Sequence, residues 1–467
     1  MSNFGLIAKA KDHTTPKKIH LLQEDNFKTW LDAQPAPVQN WFAENDFKGK
    51  KHDHISIPNK EGKVDDIIAI LDKSNNLYAL SALAKESKGT FELSHEYVDL
   101  TADDVTQICL GWALGCYHFD KYKKSPSINQ AELIIPEEAN ELKITSLAEA
   151  VYKVRDLVNT PPNDMMPQNL QEEMEDLAAR FDAELKVILD DQLVEQDYHA
   201  VYAVGKGSQN RPRVLDLTWG HAHHPKVTLV GKGVCFDTGG YNIKSGSSMS
   251  LMKKDMGGSA QAIGLALMIM SMQLPVRLRV LVGAVENSVS GDAYRPSDVI
   301  QTKKGLSVEI TNTDAEGRLV LSDCLFEACK DKPELLFDFA TLTGAARVAL
   351  GPDLPPIYSN DDLLAHDLVT KGQEVQDPVW NMPLWDAYND YMKSDIADLV
   401  NASPNSFGGS ITAALFLQNF VEESVRWTHV DCYAWTPNGR AGQPKGGEAQ
   451  SIRAIFSYLE DTYKKQA

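Results

Sequence analysis

Hydrophobic positions change period repeatedly along this chain, and the changes mark out its elements. Val105, Ile108, Cys109, Trp112, Cys116 and Phe119 recur at helical spacing behind Thr101-Ala102-Asp103-Asp104, which reads as a helix start. Residues 67–71 and 78–83 read as short strands about a Ser74-Asn75-Asn76 turn, and 131–135 as a strand closed by Pro136. Residues 146–158 predict one amphipathic helix, with Ser146 and Glu149 as a capping box and Pro161-Pro162 as its stop. After it the two periods alternate. Leu170, Met174, Leu177 and Phe181 mark a helix and 260–272 a buried one, while 185–189, 227–230, 277–285, 307–311 and 335–340 predict strands. Such alternation predicts a mostly parallel or mixed sheet covered by helices on both faces. The expected fold class is α/β with two domains. A smaller N-terminal α/β domain spans 1–144, a linking helix 145–160, and a larger C-terminal α/β domain 161–467.

Composition narrows the classes. A chain 43% hydrophobic and 24% charged has the make-up of a globular protein. The formal charge of −19 argues against a nucleic-acid partner, which needs Lys and Arg set against phosphates. Met1-Ser2-Asn3-Phe4-Gly5 lacks the basic-then-apolar order of a signal peptide, and no apolar run approaches a membrane span. The six cysteines (109, 116, 235, 324, 329 and 432) form no CxxC pair, which fits reduced thiols and a cytoplasmic location.

Candidate chemistry gathers in three stretches. Asn312-Thr313-Asp314-Ala315-Glu316-Gly317-Arg318-Leu319 follows a strand-like run and leads into a helix-like one. Its two acids, on nearly extended backbone, are expected to point to one side, with Gly317 allowing a sharp turn and Arg318 bringing a cation. The second stretch runs from Gly231-Lys232-Gly233 through Asp237-Thr238-Gly239-Gly240 to Lys244, and its glycines are expected to let backbone approach a ligand. It fits neither Walker A nor GxGxxG spacing. Asp237 can ligate a metal, and Lys232 can do so as a neutral amine if a dication lowers its pKa; the plainer reading is an ion pair. In the third, Lys253-Lys254-Asp255-Met256-Gly257-Gly258-Ser259, Asp255 reads either as a helix cap or as a ligand. Four acids in one cleft need compensation, and two divalent cations would provide it while lowering the pKa of a shared water. Other readings fail on spacing. HExxH from His95 would need a histidine where Asp99 stands, so the first domain reads as structural or assembly-related. Gly257-Gly258-Ser259-Ala260-Gln261 misses GxSxG at its last position. His221-Ala222-His223-His224 reads as a solvated turn, and His429 as packed within an apolar strand.

These stretches, GKGVCFDTGG at 231–240, KKDMGGS at 253–259 and NTDAEGRL at 312–319, resemble the leucyl aminopeptidase family of cytosolic dimetal peptidases. Asn159-Thr160-Pro161-Pro162-Asn163, Ala284-Val285-Glu286-Asn287, Ala340-Thr341-Leu342-Thr343-Gly344-Ala345 and Ser394-Asp395-Ile396-Ala397-Asp398-Leu399 agree, so the likeness covers about 145–460. The resemblance implies a metal-dependent aminopeptidase with a leucine-like preference, removing N-terminal residues from peptides by attack of a metal-bridging water. Two divalent ions, Zn or Mn, would be held, one by Lys232, Asp237, Asp255 and Glu316, the other by Asp237, Asp314 and Glu316. Lys244 would steady the tetrahedral oxyanion, and Arg318 would hold a bicarbonate as base. Peptides with a free N-terminus are the implied substrates and a homohexamer the implied assembly. Thr238 stands where the family usually has Ser, and Tyr241-Asn242 replace smaller or apolar residues. The rival readings are another two-metal hydrolase, such as a phosphatase, and a non-catalytic scaffold or nucleic-acid binder.

Overall fold

The structure is a computed structural model that describes residues 4–8, 15–72, 76–125 and 130–464. The chain divides into two compact units, Met1–Tyr152 with Asn438–Lys445, and Lys153–Pro437 with Gly446–Ala467. In the first, β1 (Leu6–Ile7), β2 (Lys17–Gln23), β3 (His54–Pro58), β4 (Val64–Leu71), β5 (Gly89–Ser94) and β6 (Ala131–Ile134) form one sheet in the order β1-β6-β5-β2-β4-β3. Only the β3–β4 pair is antiparallel. The helix Ala102–Gly115 starts where the sequence reads a helix start, and a capping box forms there: Asp104 N–H donates to Thr101 Oγ1 at 3.2 Å, and Thr101 N–H to Asp104 Oδ2 at 2.9 Å. Residues 78–83 are not a strand; they make a turn and enter the helix Ser81–Glu86. The reason is close packing on the neighbouring helix. Ser81 Oγ donates to Gly111 O at 2.6 Å, and a Cβ on Gly111 would fall 1.3 Å from Leu77 O. Ser74 and Asn75 of the expected turn lie outside the described residues.

The helix expected at 146–158 runs over Glu141–Asn159, and the boundary between units falls inside it. Ser146 is buried in its interior, so the Ser146–Glu149 capping box does not form. Asn140 caps the start instead, accepting the Lys143 N–H at 3.0 Å.

In chain order the second unit's strands are β7 (Glu184–Leu189), β8 (Arg213–Trp219), β9 (Lys226–Asp237), β10 (Arg277–Asn287), β11 (Val299–Gln301), β12 (Ser307–Glu309), β13 (Leu335–Ala340), β14 (Pro356–Ser359), β15 (Trp380–Asn381), β16 (Leu399–Val400), β17 (Arg426–Asp431), β18 (Trp435–Thr436) and β19 (Gly446–Gly447). Eight of them form a mixed sheet in the order β15-β14-β17-β13-β9-β10-β8-β7. Its central four, β17, β13, β9 and β10, are parallel and buried at nearly every position, as a sheet covered on both faces requires. Two glycines show which helix covers which face. A Cβ on Gly231 would lie 2.5 Å from Ser259 Cα in the helix Gly257–Ser271. A Cβ on Gly283 would lie 2.4 Å from Val320 Cγ1 in the helix Gly317–Cys329. Gly231 is in register with Val282, so Gly283 points the other way, and the two helices lie on opposite faces.

β9 is longer than its hydrophobic run suggests. It continues through Gly231, Lys232 and Gly233 to Asp237, so these glycines serve packing rather than a ligand loop. The strand before NTDAEGRL, β12, pairs with β11 and β16 in a separate three-stranded sheet and not with the main one. All six cysteines are buried, and none forms a disulfide among the described residues. Among the described residues no helix is long and apolar enough to cross a membrane.

Candidate active site

Four segments bring the acids together. Asp237 ends β9, and Asp255 sits in the 3-10 turn Met252–Met256 ahead of the helix Gly257–Ser271. Asp314 and Glu316 lie in the turn between β12 and the helix Gly317–Cys329. Ligand oxygens of Asp237, Asp255 and Glu316 all lie within 4.8 Å of one another, and all three residues are buried. Asp314 is outside this compact group but joined to it by Lys244, whose Nζ lies 2.8 Å from Asp237 Oδ2 and 2.5 Å from Asp314 Oδ1. Lys232 Nζ lies 2.8 Å from both Asp255 Oδ2 and Glu316 Oε1. The extended-backbone argument for Asp314 and Glu316 does not hold. Glu316 is helical in φ and ψ, and the turn aims the two acids at different lysines.

Partners remote in sequence fix the carboxylates. Asp237 Oδ1 accepts from Gly239 N–H and Asn287 Nδ2, each at 2.8 Å. Asn287 Nδ2 also donates to Thr313 O at 3.1 Å, as does the Tyr294 hydroxyl at 2.7 Å, anchoring the turn that carries Asp314. Asp255 is not a helix cap: Met256 holds that position without a side-chain bond. Its Oδ1 accepts the Thr341 hydroxyl at 2.7 Å, and Thr341 O lies 3.5 Å from Lys232 Nζ. That loop is held in turn by buried Asp431, which accepts the N–H groups of Leu342 and Thr343 and the Thr343 hydroxyl. Neither Asn287 nor Thr341 had a role assigned from sequence. The available signal was their place, Asn287 ending β10 beside Asp237 and Thr341 following β13.

Charge is crowded here. Burial, then the Glu316 and Asp255 carboxylates, push the Asp237 pKa well above the ordinary carboxylate range. Glu316 is raised by burial despite Lys232. Burial also opposes the charged form of Asp255, but Lys232 and Lys254 outweigh it and hold its pKa low. For Lys232, burial favours the neutral amine, yet Asp255, Glu316 and Asp237 outweigh it and keep the ammonium, which here stands in for a cation at the cluster. Arg318 is buried, donates from Nη1 to Asn401 O at 2.8 Å, and leaves Nε without a partner; burial lowers its pKa to about 10.

A divalent metal fits this donor set. Three carboxylates converge in a buried space, and Glu316 Oε2 is buried without any hydrogen-bond partner, a cost that a cation would remove. Oxygen donors with one amine suit hard or borderline ions. His429, by contrast, is fully buried in β17 with its Nδ1 2.6 Å from Asp338 Oδ1, as a packed strand residue. His221 and His223 stack, His224 meets both edge-on, and none of the three belongs to the carboxylate group.

Known proteins share both the sequence and the fold. Residues 152–456 match the family model described as the cytosol aminopeptidase family, catalytic domain, and 17–136 that of the M17 aminopeptidase N-terminal domain. A probable cytosol aminopeptidase of Geobacter sulfurreducens is 40% identical over 79% of this chain and 77% of its own. That of Roseiflexus castenholzii is 38% identical over 79% and 78%. The crystal structure of cytosol aminopeptidase from Coxiella burnetii superposes with a TM-score of 0.92 at 43% identity, covering 98% of this chain and 99% of that one. The bottromycin maturation enzyme BotP in complex with Mn gives 0.87 at 29% identity, over 96% and 100%. With its carboxylate cluster on this shared fold, the chain belongs to the cytosol aminopeptidase family and is a metal-dependent peptidase that acts at peptide N-termini.

Proposed function

We propose that the cluster holds two divalent ions, Mn or Zn. Lys232, Asp237, Asp255 and Glu316 hold the first, and Asp237, Asp314 and Glu316 the second, so that Asp237 and Glu316 are shared. The observation that carries this is the buried trio Asp237, Asp255 and Glu316 with Glu316 Oε2 left unpartnered. The Mn complex of the similar BotP supports Mn as one of the ions. When bound, the ions supply a polarising charge for the scissile carbonyl and lower the pKa of a reacting water. Lys244 would steady the oxygen that gains charge; its ammonium, now between Asp237 and Asp314, supports that reading. Arg318 seats bicarbonate as the proton acceptor; its burial, its single carbonyl partner and its free Nε suit a small planar anion. Residues 161–467 carry the chemistry, while 1–144 have a structural or assembly role. Assembly as a homohexamer in the cytoplasm follows the resemblance, and the exposed Trp380, Trp385, Ile396 and Phe407 offer apolar surface for it. A phosphatase-like reading of the same carboxylates and a nucleic-acid-binding role are not favoured by the family match or the charge of −19.

Mutation tests the ligand assignment. Glu316→Gln and Asp237→Asn each remove one negative charge from a crowded cluster, so the fold is expected to persist while turnover of a leucyl amide falls to background. Circular dichroism and kcat measured together check this. Wild-type kcat in either variant would sink the two-metal assignment.

A further inference from the structure

Two cations beside the carboxylate cluster are poorly compensated: Lys254 has only a long ion pair, and Arg347 has none among the described residues. Lys254 precedes Asp255 and is 3% exposed, yet its Nζ donates no hydrogen bond among the described residues. Its carboxylate neighbour, Asp255 Oδ1, is 4.0 Å away and already accepts the Thr341 hydroxyl. The ammonium lies 5.2 Å from the centroid of the Tyr433 ring. Arg347, on the helix Gly344–Leu350, places its guanidinium 4.5 Å from the same centroid and makes no ion pair among the described residues. A cation–π contact stabilises an ammonium by much less than taking it out of water costs. Two like charges on one ring also repel. Two dications would cancel Asp237, Asp255, Asp314 and Glu316, with Lys232 a neutral amine ligand and Arg318 offset by Asp431 and its bicarbonate, which leaves Lys244, Lys254 and Arg347 as positive charge around the site. The chemistry missing from this arrangement is a carboxylate.

We propose that Lys254 and Arg347, set against Tyr433, form a carboxylate-binding subsite that selects peptides whose N-terminal residue is aspartate or glutamate. This rests on the aminopeptidase reading of the cluster. The scissile bond and the free α-amino group must lie at the carboxylate cluster, so the first residue's side chain is the substrate group nearest to it. Lys254 is one residue from Asp255, and an Asp or Glu side chain carries its charge only two or three bonds from Cα. A leucine there would leave the ammonium desolvated and unpaired, and a lysine would be repelled. The subsite and the leucine-like preference implied by the resemblance therefore make opposite predictions.

The test is a panel of Glu, Gln, Asp, Asn, Leu and Lys amides of one chromophore, run with Mn and with Zn. These substrates carry no C-terminal carboxylate, so any preference for Glu over its neutral isostere Gln comes from the side chain. The expected result is kcat/KM for Glu above Gln by about tenfold or more, with the ratio falling to about one in Lys254→Met and in Arg347→Gln. Calorimetric titration is expected to show glutamate binding more tightly than glutamine, with the difference lost in both variants. Arg347 is exposed, so its variant keeps the test open if Lys254→Met does not fold. A wild-type Glu/Gln ratio near one, with both cleaved, overturns the subsite and leaves the aminopeptidase reading standing. So does a high ratio unmoved in both variants. No hydrolysis of any amide with either metal would instead overturn the aminopeptidase reading itself.

Discussion

At the scale of single residues, Gly317 shows how an absent side chain can hold a site together. From sequence it reads as the glycine of a sharp turn, but its φ is not in the left-handed region. What requires glycine is Lys232: a Cβ at position 317 would fall 2.5 Å from its Cε and 2.7 Å from its Nζ. Lys232 must pass there to reach Asp255 and Glu316, both at 2.8 Å. Gly317→Ala is therefore expected to push the lysine aside, cutting kcat by about a hundredfold and weakening Mn binding. Steady-state kinetics and a Mn titration check it, and wild-type values for both would mean the lysine position is immaterial. The charged residues of the site were legible because acids and lysines on glycine-rich segments are conspicuous. Their supports were not. Asn401, whose carbonyl takes Arg318 Nη1, lies 83 residues from that arginine, and Asp431 supports the site by holding Leu342 and Thr343. Nothing local in the sequence marks either contact.

Between elements, the hydrophobic period placed the central strands and both covering helices, because buried parallel strands read as continuous apolar runs. It failed where tertiary packing overrides the local pattern. β9 was cut short at Gly231, since glycines that admit the helix Gly257–Ser271 look like loop residues. Residues 78–83 look like a strand, yet they fold as turn and helix because Gly111 and Gly115 let them press on the helix behind. Asp323 is another device of this scale and was not singled out from sequence. Inside the helix Gly317–Cys329, it accepts the N–H groups of Ala200 and Val201, at the start of the helix His199–Gly205, and that of Lys303. Burial raises its pKa to about 7 even against those three donors. The folded state thus holds a proton that the unfolded chain gives up near its ordinary carboxylate pKa of about 3.9. Between those two values the native state binds more protons, so stability falls as pH rises through the window. Asp323→Asn removes this contribution. The melting temperature of wild type relative to the variant is expected to drop from about pH 4 to pH 7 and then level off. A difference constant across that range would show that Asp323 does not titrate there.

For the whole molecule, the decisive balance is between a cluster that repels itself and the cations that relieve it. Asp237 and Glu316 both have raised pKa values, from burial first and, for Asp237, then from neighbouring carboxylates. Without metal, Lys232 and Lys244 are the compensating charges that bridge these acids, and Glu316 Oε2 remains unpartnered. A folded chain that binds divalent ions at a site the unfolded chain lacks must gain stability from them, by about 2.7 kcal/mol at a hundred times the dissociation constant. Chelation is therefore expected to do two things at once: abolish turnover and lower the melting temperature by several degrees. Mn or Zn should restore both in parallel along one titration curve. The coupling is the informative part. If turnover returned with metal while the melting temperature did not move, the ions would be acting on the substrate or at a weak surface site. If neither changed on thorough chelation, the metal-dependent reading of Asp237, Asp255, Asp314 and Glu316 would be wrong. An N-acetylated peptide serves as the control in the same preparation, because a blocked α-amino group is expected to stop cleavage without altering the metal-induced rise in melting temperature.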